Sequence, residues 1–246
     1  MLLLESHNEI RKFLDYHMME NYTINPDGTV DVDDEVSFRG GNMGSLPVRF
    51  GIVNGNFYCN SMGLETLEGC PKYVSGDFVF DNNKLTDLKG GPEKVDGVFN
   101  CEDNELTSLE GSAKYIGKRF YCSYNKLTDL VGSPEHVEGY FVCENNKLTS
   151  LKGSPKFIGG DFYCELNKII NLDGFDTKLV GKFRCKYNPI SSVIGESEDM
   201  DFIKAFKVYK IITDGNKINF KRLKYLKTIF DFINDWDEME KHYTIF

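Results

Sequence analysis

Cysteine returns at Cys59, Cys101, Cys122, Cys143, Cys164 and Cys185, always 21 residues apart or twice that, with Phe80 filling the one gap. Other columns keep the same period. Phe57, Phe78, Phe99, Phe120, Phe141, Phe162 and Phe183 stand two residues earlier. Asn83, Asn104, Asn125, Asn146, Asn167 and Asn188 stand three later, with Met62 in that place in the first unit. Leucine pairs such as Leu85/Leu88 and Leu127/Leu130 follow, and a glycine closes each unit from Gly69 to Gly195. Seven copies therefore fill residues 53–195. A unit this short cannot bury its own apolar face, so successive units must stack into a solenoid.

Within each unit, Phe and Cys two apart point to one side of a short strand, and the residue between them faces the other way. The Asn stands where the chain turns in, and stacked units would line its amides into a ladder that satisfies backbone groups. The leucines return to the core. Gly, with Pro71, Pro92, Pro134 and Pro155, suits a tight return. The segment after the second leucine is too short for a full helix, so turns or 3₁₀ pieces are expected on a convex side. Six steps of about 4.8 Å give a face roughly 29 Å long.

F-x-C-x-x-N-x-L-x-x-L resembles the leucine-rich-repeat core, with Phe and Cys in the strand positions. NNKLTDL and NNKLTSL are similar to the short repeats of bacterial effector leucine-rich-repeat proteins. This chain has Gly where those have a Leu-Pro pair, and no cysteine follows Cys185, so their catalytic cysteine domain is absent. A wider resemblance covers nearly the whole chain. An N-terminal helix, Tyr22–Val32, GDFYC at Gly160–Cys164, NKLTSL-type units and a helical tail look like repeat proteins encoded by tailed phages. The fold so implied is an α/β leucine-rich-repeat-like solenoid with a short-strand parallel sheet. Residues 1–52 cap it by a helix, a β-hairpin and a degenerate repeat, and residues 196–246 cap it by helices.

The ends support that division. Glu5–Glu20 carries Ile10, Phe13, Leu14 and Met18 at helical spacing. Tyr22–Val32 reads as a hairpin about Pro26-Asp27-Gly28. Val36-Ser37-Phe38 and Leu46 fall in phase with the repeats. At the back, Met200–Ile212 and Asn219–Lys241 have helical period, broken at Thr213–Asn216. Phe202, Ile203, Phe206, Val208 and Tyr209 are expected to cover the last coil. Leu223, Leu226, Phe230, Ile233 and Trp236 on the second helix serve either the cap or a separate docking element.

Composition narrows function. The formal charge is −9, and no arginine cluster offers phosphate neutralisation, which argues against nucleic acid. Lys217, Lys221, Arg222, Lys224 and Lys227 read as a solvated helix face. Apolar Met1–Leu4 stops at Glu5, short of an export core, and no run approaches a membrane span. Seven cysteines, six of them facing inward, suit core thiols in a reducing cytoplasm rather than a disulfide framework. For a phage protein that compartment is the host cytoplasm. His7, His17, His136 and His242 are scattered, and Asp31–Glu35 lacks calcium-loop spacing, so no metal, cofactor or catalytic set is expected.

The candidate site is the outward strand side, expected to be concave. Tyr58, Tyr121 and Tyr163 lie between Phe and Cys, with Tyr124, Tyr140 and Tyr187 nearby. Beside them runs an acidic column, Asp81, Glu102, Glu144 and Glu165, interrupted by Ser123. Tyrosine gives contact area at small entropy cost and is enriched at binding hot spots. A lysine column, Lys84, Lys126, Lys147 and Lys168, reads as solvated. Together these point to a non-catalytic protein-binding solenoid. The phage resemblance implies a host protein as partner. Phage assembly, self-association or an enzyme cleft at the C-terminal helices are the alternatives.

Overall fold

The 21-residue unit forms one coil of a parallel β-solenoid with two strands per coil, as seen in a computed structural model describing residues 3–4, 6–38, 41–195, 200–213, 216–230 and 236–246. One strand is the Phe-x pair, as in Phe120–Tyr121, and these stack into an eight-stranded sheet running from Val36–Ser37 to Phe183–Arg184. Rungs lie in strict register, Phe120 pairing with Phe99 and Phe141. The other strand is a pair such as Tyr115–Ile116. These stack into a nine-stranded sheet that begins with the hairpin Tyr22–Ile24/Thr29–Val32 and ends at Lys178–Leu179. The return segment expected to hold turns or 3₁₀ pieces is thus a second parallel sheet. Val74, Val95, Ile116, Val137 and Ile158 are fully buried and supply its inner face.

The core lies between the sheets. Seven phenylalanines from Phe57 to Phe183 are buried, with successive rings 5.1–5.6 Å apart. The thiols are free and buried, and several donate to the next rung's carbonyl, as Cys122 does to Val142 at 3.4 Å. Burial pushes the ionisation of the six thiols of the repeat column upward, Cys185 to about 12. The asparagine ladder forms as the period demands. Asn125 Nδ2 donates to the carbonyls of Cys101, Cys122 and Ser123 at 3.0–3.2 Å, and its Oδ1 accepts from Leu106 N at 2.9 Å.

Two turns per coil use left-handed backbone. One falls on the closing glycine, where a Cβ on Gly132 (φ +90) would sit 2.5 Å from Glu110 N. The other falls before each Asn, or before Met62 in the first unit, at Ser61, Asn82, Asp103, Tyr124, Asn145, Leu166 and Tyr187, all at φ 50–58°.

At the front, α1 (His7–Tyr16) starts with a Ser6/Glu9 capping box and buries Ile10 and Leu14. Met18 lies beyond the helix at φ 57 and is 62% exposed, while Met19 is buried instead. Val36 pairs with Phe57, so the degenerate opening coil is in phase, and Leu46 is buried. Asp31 and Asp33 bond the next coil, accepting from Ile52 N and Asn54 Nδ2 at 2.7 Å.

At the back come α2 (Ser191–Ile194), α3 (Met200–Val208), α4 (Phe220–Ile229) and α5 (Trp236–His242). A small sheet joins Ile212–Thr213, Lys217–Ile218 and Thr244–Ile245. The second helix expected through Lys241 therefore ends at Ile229, where Phe230 turns extended. Phe202, Ile203, Phe206, Leu223 and Leu226 are buried, whereas Val208 (77% exposed) and Tyr209 face out. Tyr243 Oη donates to Ile170 O at 2.8 Å, and Lys207 Nζ reaches Phe175 O and Asp176, tying this unit to the last coils. Glu5, Asp214, Gly215, Ile233 and the Trp236 side chain lie outside the described residues. No described helix is long and apolar enough to cross a membrane.

Candidate functional site

The outer face of the eight-stranded sheet carries three parallel columns, because register repeats every side chain one rung, about 4.8 Å, further along. The column between Phe and Cys holds Tyr58, Val79, Asn100, Tyr121, Val142, Tyr163 and Arg184. Tyr58, Tyr121 and Tyr163 are half-buried rather than fully exposed. Tyr121, Tyr140 and Tyr163 come together in one cluster with two arginines. The Arg119 guanidinium lies 5.0 Å from the Tyr140 ring and donates to Tyr121 Oη at 3.3 Å. Tyr140 meets Tyr163 edge-on at 5.8 Å. Arg184 stands 5.4 Å from the Tyr163 ring and pairs with Asp161 at 3.2 Å, and Tyr163 Oη also donates to Asp161 at 3.2 Å. Burial and the Asp161 charge raise the Tyr163 hydroxyl above its ordinary range. Tyr58 stands three rungs away, about 14 Å at the rung spacing. Tyr124 and Tyr187, 55% and 73% exposed, project from the left-handed turn.

The second column follows the thiols: Asp81, Glu102, Ser123, Glu144, Glu165 and Lys186. Its carboxylates are half-buried. Burial raises Asp81 and Glu102 above the usual carboxylate range, the nearby Ser123 hydroxyl partly offsetting this for Glu102. Glu144 goes furthest. Its carboxyl hydrogen-bonds that of Glu165 on the next rung, and with burial this raises it from 4.5 to about 7. Like carboxylates this close cannot both ionise freely, so Glu144 holds its proton to higher pH.

The stability consequence has a definite sign. The unfolded chain releases the Glu144 proton near 4.5 and the folded chain near 7. The contribution is intact below the lower value and is lost as pH rises through this window. Glu144→Gln should therefore raise the melting temperature above pH 7 and leave it nearly unchanged below pH 4.5. Calorimetry across pH checks this, and parallel curves for both proteins would refute the raised Glu144 ionisation.

The third column is the lysines. Lys84, Lys126, Lys147 and Lys168 are exposed, and Lys126 pairs with Glu105 at 2.7 Å. Such pairs contribute about 0–1 kcal/mol. The basic tail residues Lys221, Arg222, Lys224 and Lys227 are likewise exposed on α4.

The opposite sheet holds a column that the sequence reading passed over: Tyr73, Lys94, Tyr115, His136, Phe157 and Lys178. His136 is stacked between Tyr115 at 5.3 Å and Phe157 at 4.4 Å. Lys94 lies 5.3 and 5.5 Å from the Tyr73 and Tyr115 rings and pairs with Asp96 at 2.8 Å. Glu138 meets the His136 ring at 3.0 Å. The 21-residue period beside Val74, Val95 and Ile116 was the available signal. These rings stack on one another and their polar atoms are paired, so the column serves the coil stack. No three acid, thiol or imidazole groups among the described residues are placed to hold a metal ion. Comparison with protein-family models, with characterised proteins and with solved structures yields no match to this chain.

Proposed function

We propose that this chain is a non-catalytic protein-binding solenoid, a phage protein that engages a host protein in the host cytoplasm through the outer face of its eight-stranded sheet. The phage origin, the host partner and the leucine-rich-repeat kinship come from the sequence resemblance alone. One observation carries the choice of face. Asp81, Glu102, Glu144 and Glu165 run half-buried beside the Tyr121–Tyr140–Tyr163 cluster and make no ion pair among the described residues. Carboxylates elsewhere on the coils, such as Glu105, Glu135 and Asp161, do have cations. A partner would supply the missing charge and cover rings already held against one another and against Arg119 and Arg184, at small entropic cost.

The action would be occlusion or trapping of the partner. The test is affinity capture from host lysate, comparing wild type with the Tyr121→Ala/Tyr163→Ala double variant by mass spectrometry. A host protein held by wild type and lost by the variant is the expected result. Each substitution should cost only about 1 kcal/mol of stability, since both rings are partly exposed. Retention by both proteins would remove this face from the mechanism. Capture of no host protein would favour an assembly role.

A further inference from the structure

The nine-stranded sheet is open at both ends among the described residues. Its first strand, Tyr22–Ile24, pairs with Thr29–Val32 alone, and its last, Lys178–Leu179, with Phe157–Ile158 alone. Bonds into the sheet leave from alternate residues. Lys178 N and Val180 N donate to Lys156 O and Ile158 O, so the N–H and C=O of Leu179 between them point away from the stack. At the front, Asn25 N donates to Thr29 O and Asp33 N to Asn21 O, which leaves the backbone groups of Tyr22 and Ile24 on the outer edge. The C-terminal unit covers one sheet and not the other. Phe183 ends its column fully buried, whereas Leu179 stays half-buried at the position where Ile116, Val137 and Ile158 are fully buried. Val180 beside it is 64% exposed. Unpaired edges of this kind are templates for another strand.

The two ends also carry opposite charge. Residues 13–38 hold seven carboxylates and no lysine or arginine, while residues 204–227 hold eight lysines and arginines and one carboxylate. Asp27, Asp33, Asp34 and Glu35 are exposed at the front and make no ion pair among the described residues. The same holds for Lys210, Lys221 and Lys224 at the back. That basic face adjoins the open strand. Lys207 pairs with Asp176, just before Lys178, and the end of α3 is tied to α4 by Arg222, which donates to Lys210 O at 3.2 Å.

We propose that these chains associate head to tail, the acidic front of one copy seating on the basic back of the next. Tyr22–Ile24 then adds to Lys178–Leu179, and the sheet runs on from copy to copy. This inference is independent of the host-protein reading, because the ends and not the tyrosine face carry it. A second copy is the occupant because one chain supplies both halves of the contact, in charge and in strand. Tyr22–Ile24 runs antiparallel to its own sheet, so a copy translated along the stack presents it antiparallel to Lys178–Leu179, a pairing that sheets accept. Two different patches meet, so the contact repeats into a filament unless its rotation closes a ring. Exposed ion pairs are individually weak and screened, so the assembly should be salt-sensitive.

Sedimentation equilibrium of the full chain tests this. In dilute salt the mean mass should climb past that of a dimer as concentration rises, and association should weaken roughly tenfold between about 50 and 500 mM salt. Lys221→Ala with Lys224→Ala at the back, and Asp34→Asn with Glu35→Gln at the front, should each stop the growth. All four side chains are exposed, so both variants should melt with wild type. Mixing the two variants should restore a dimer and nothing larger, since each brings one intact end. In that dimer, hydrogen exchange should slow at Leu179 of the front variant and at Ile24 of the back variant. Net charge predicts the opposite for the front variant, which loses part of the chain's −9 and should then associate more readily. That result would overturn the proposal. So would equal loss on Lys147→Ala with Lys168→Ala, which removes the same charge from the repeat face. A chain that stays monomeric, a dimer formed by either variant alone, or unslowed exchange at both amides would overturn it too. A monomer that binds phosphatidylserine vesicles through Lys221 and Lys224 would overturn it in favour of a membrane surface.

Discussion

Asn125→Ala should lower stability by about 3 kcal/mol, although it removes only one small polar side chain from a 246-residue protein. The amide makes four bonds, all to buried backbone. It accepts from Leu106 N on the preceding coil and donates to carbonyls on two coils, Cys101 on one and Cys122 and Ser123 on its own. Truncation leaves the Leu106 N–H and the Cys101 carbonyl to pay their desolvation cost in a dry corner, at about 1–3 kcal/mol for each unsatisfied group. For a chain of this size the melting temperature should fall by about 6–12 °C. Asn125→Asp should be worse, because it keeps the acceptor but sets an anionic oxygen against three carbonyls. Lys147→Ala, exposed one rung on, should change stability by less than about 0.5 kcal/mol. Urea unfolding of the three variants makes the comparison. An Asn125→Ala midpoint equal to that of Lys147→Ala would mean water replaces the amide and the ladder is dispensable.

Phe120→Ala should cost about 3–5 kcal/mol, the usual range for emptying an aromatic site in a packed core. Its ring is fully buried and stacked at 5.1 Å on both Phe99 and Phe141, with interplanar angles of 25° and 14°. Both neighbours lose a partner, and backbone hydrogen bonds at fixed rung spacing resist collapse into the void. The damage should also be local in a particular way. In a stack where each coil meets only its neighbours, a weak rung divides the structure. Hydrogen exchange should therefore rise most between rungs 99 and 141, ahead of the ends. Uniform exchange with unchanged stability would show that Phe120 does not occupy the core column.

The two halves of each coil differed in how plainly the sequence announced them. Phe and Cys two apart, followed by Asn, repeat so faithfully that strand alternation alone turns Phe120 and Cys122 inward and Tyr121 outward. The in-phase Val36 was readable for the same reason, and the hairpin about Gly28 from its Pro26-Asp27-Gly28 turn. The second sheet was hidden because its strands from Tyr73–Val74 onward are each only two residues long. Alternation needs more than one inward residue to be visible, and Ile116 has only Tyr115 beside it. The outward position varies from Tyr73 to Lys94 to His136, so it looks like an ordinary loop. Of the site, the tyrosine and acid columns were legible, but their pairing state was not. Arg119 reaches the tyrosines from just before its strand and Arg184 from the tyrosine column itself, positions with no repeating basic identity, and the burial of Ser123 follows from long neighbours on either side. Nor could composition say that Leu166 and Tyr187 adopt left-handed backbone. That demand comes from the coil geometry, which overrides their own preference.

Strict register between coils also decides how far along the chain a contact reaches. Sheet partners such as Phe120 and Phe141, or Ile116 and Val137, are separated by 21 positions, and the asparagine bonds span 2–24. Against the chain length this is a relative contact order near 0.09, within the span of helical bundles rather than of β-sandwiches, whose values run about 0.16–0.22. Within its coils, a mostly β protein of this design therefore closes only short loops. It can start folding at any coil and add neighbours in either direction, with the speed of an α-helical domain.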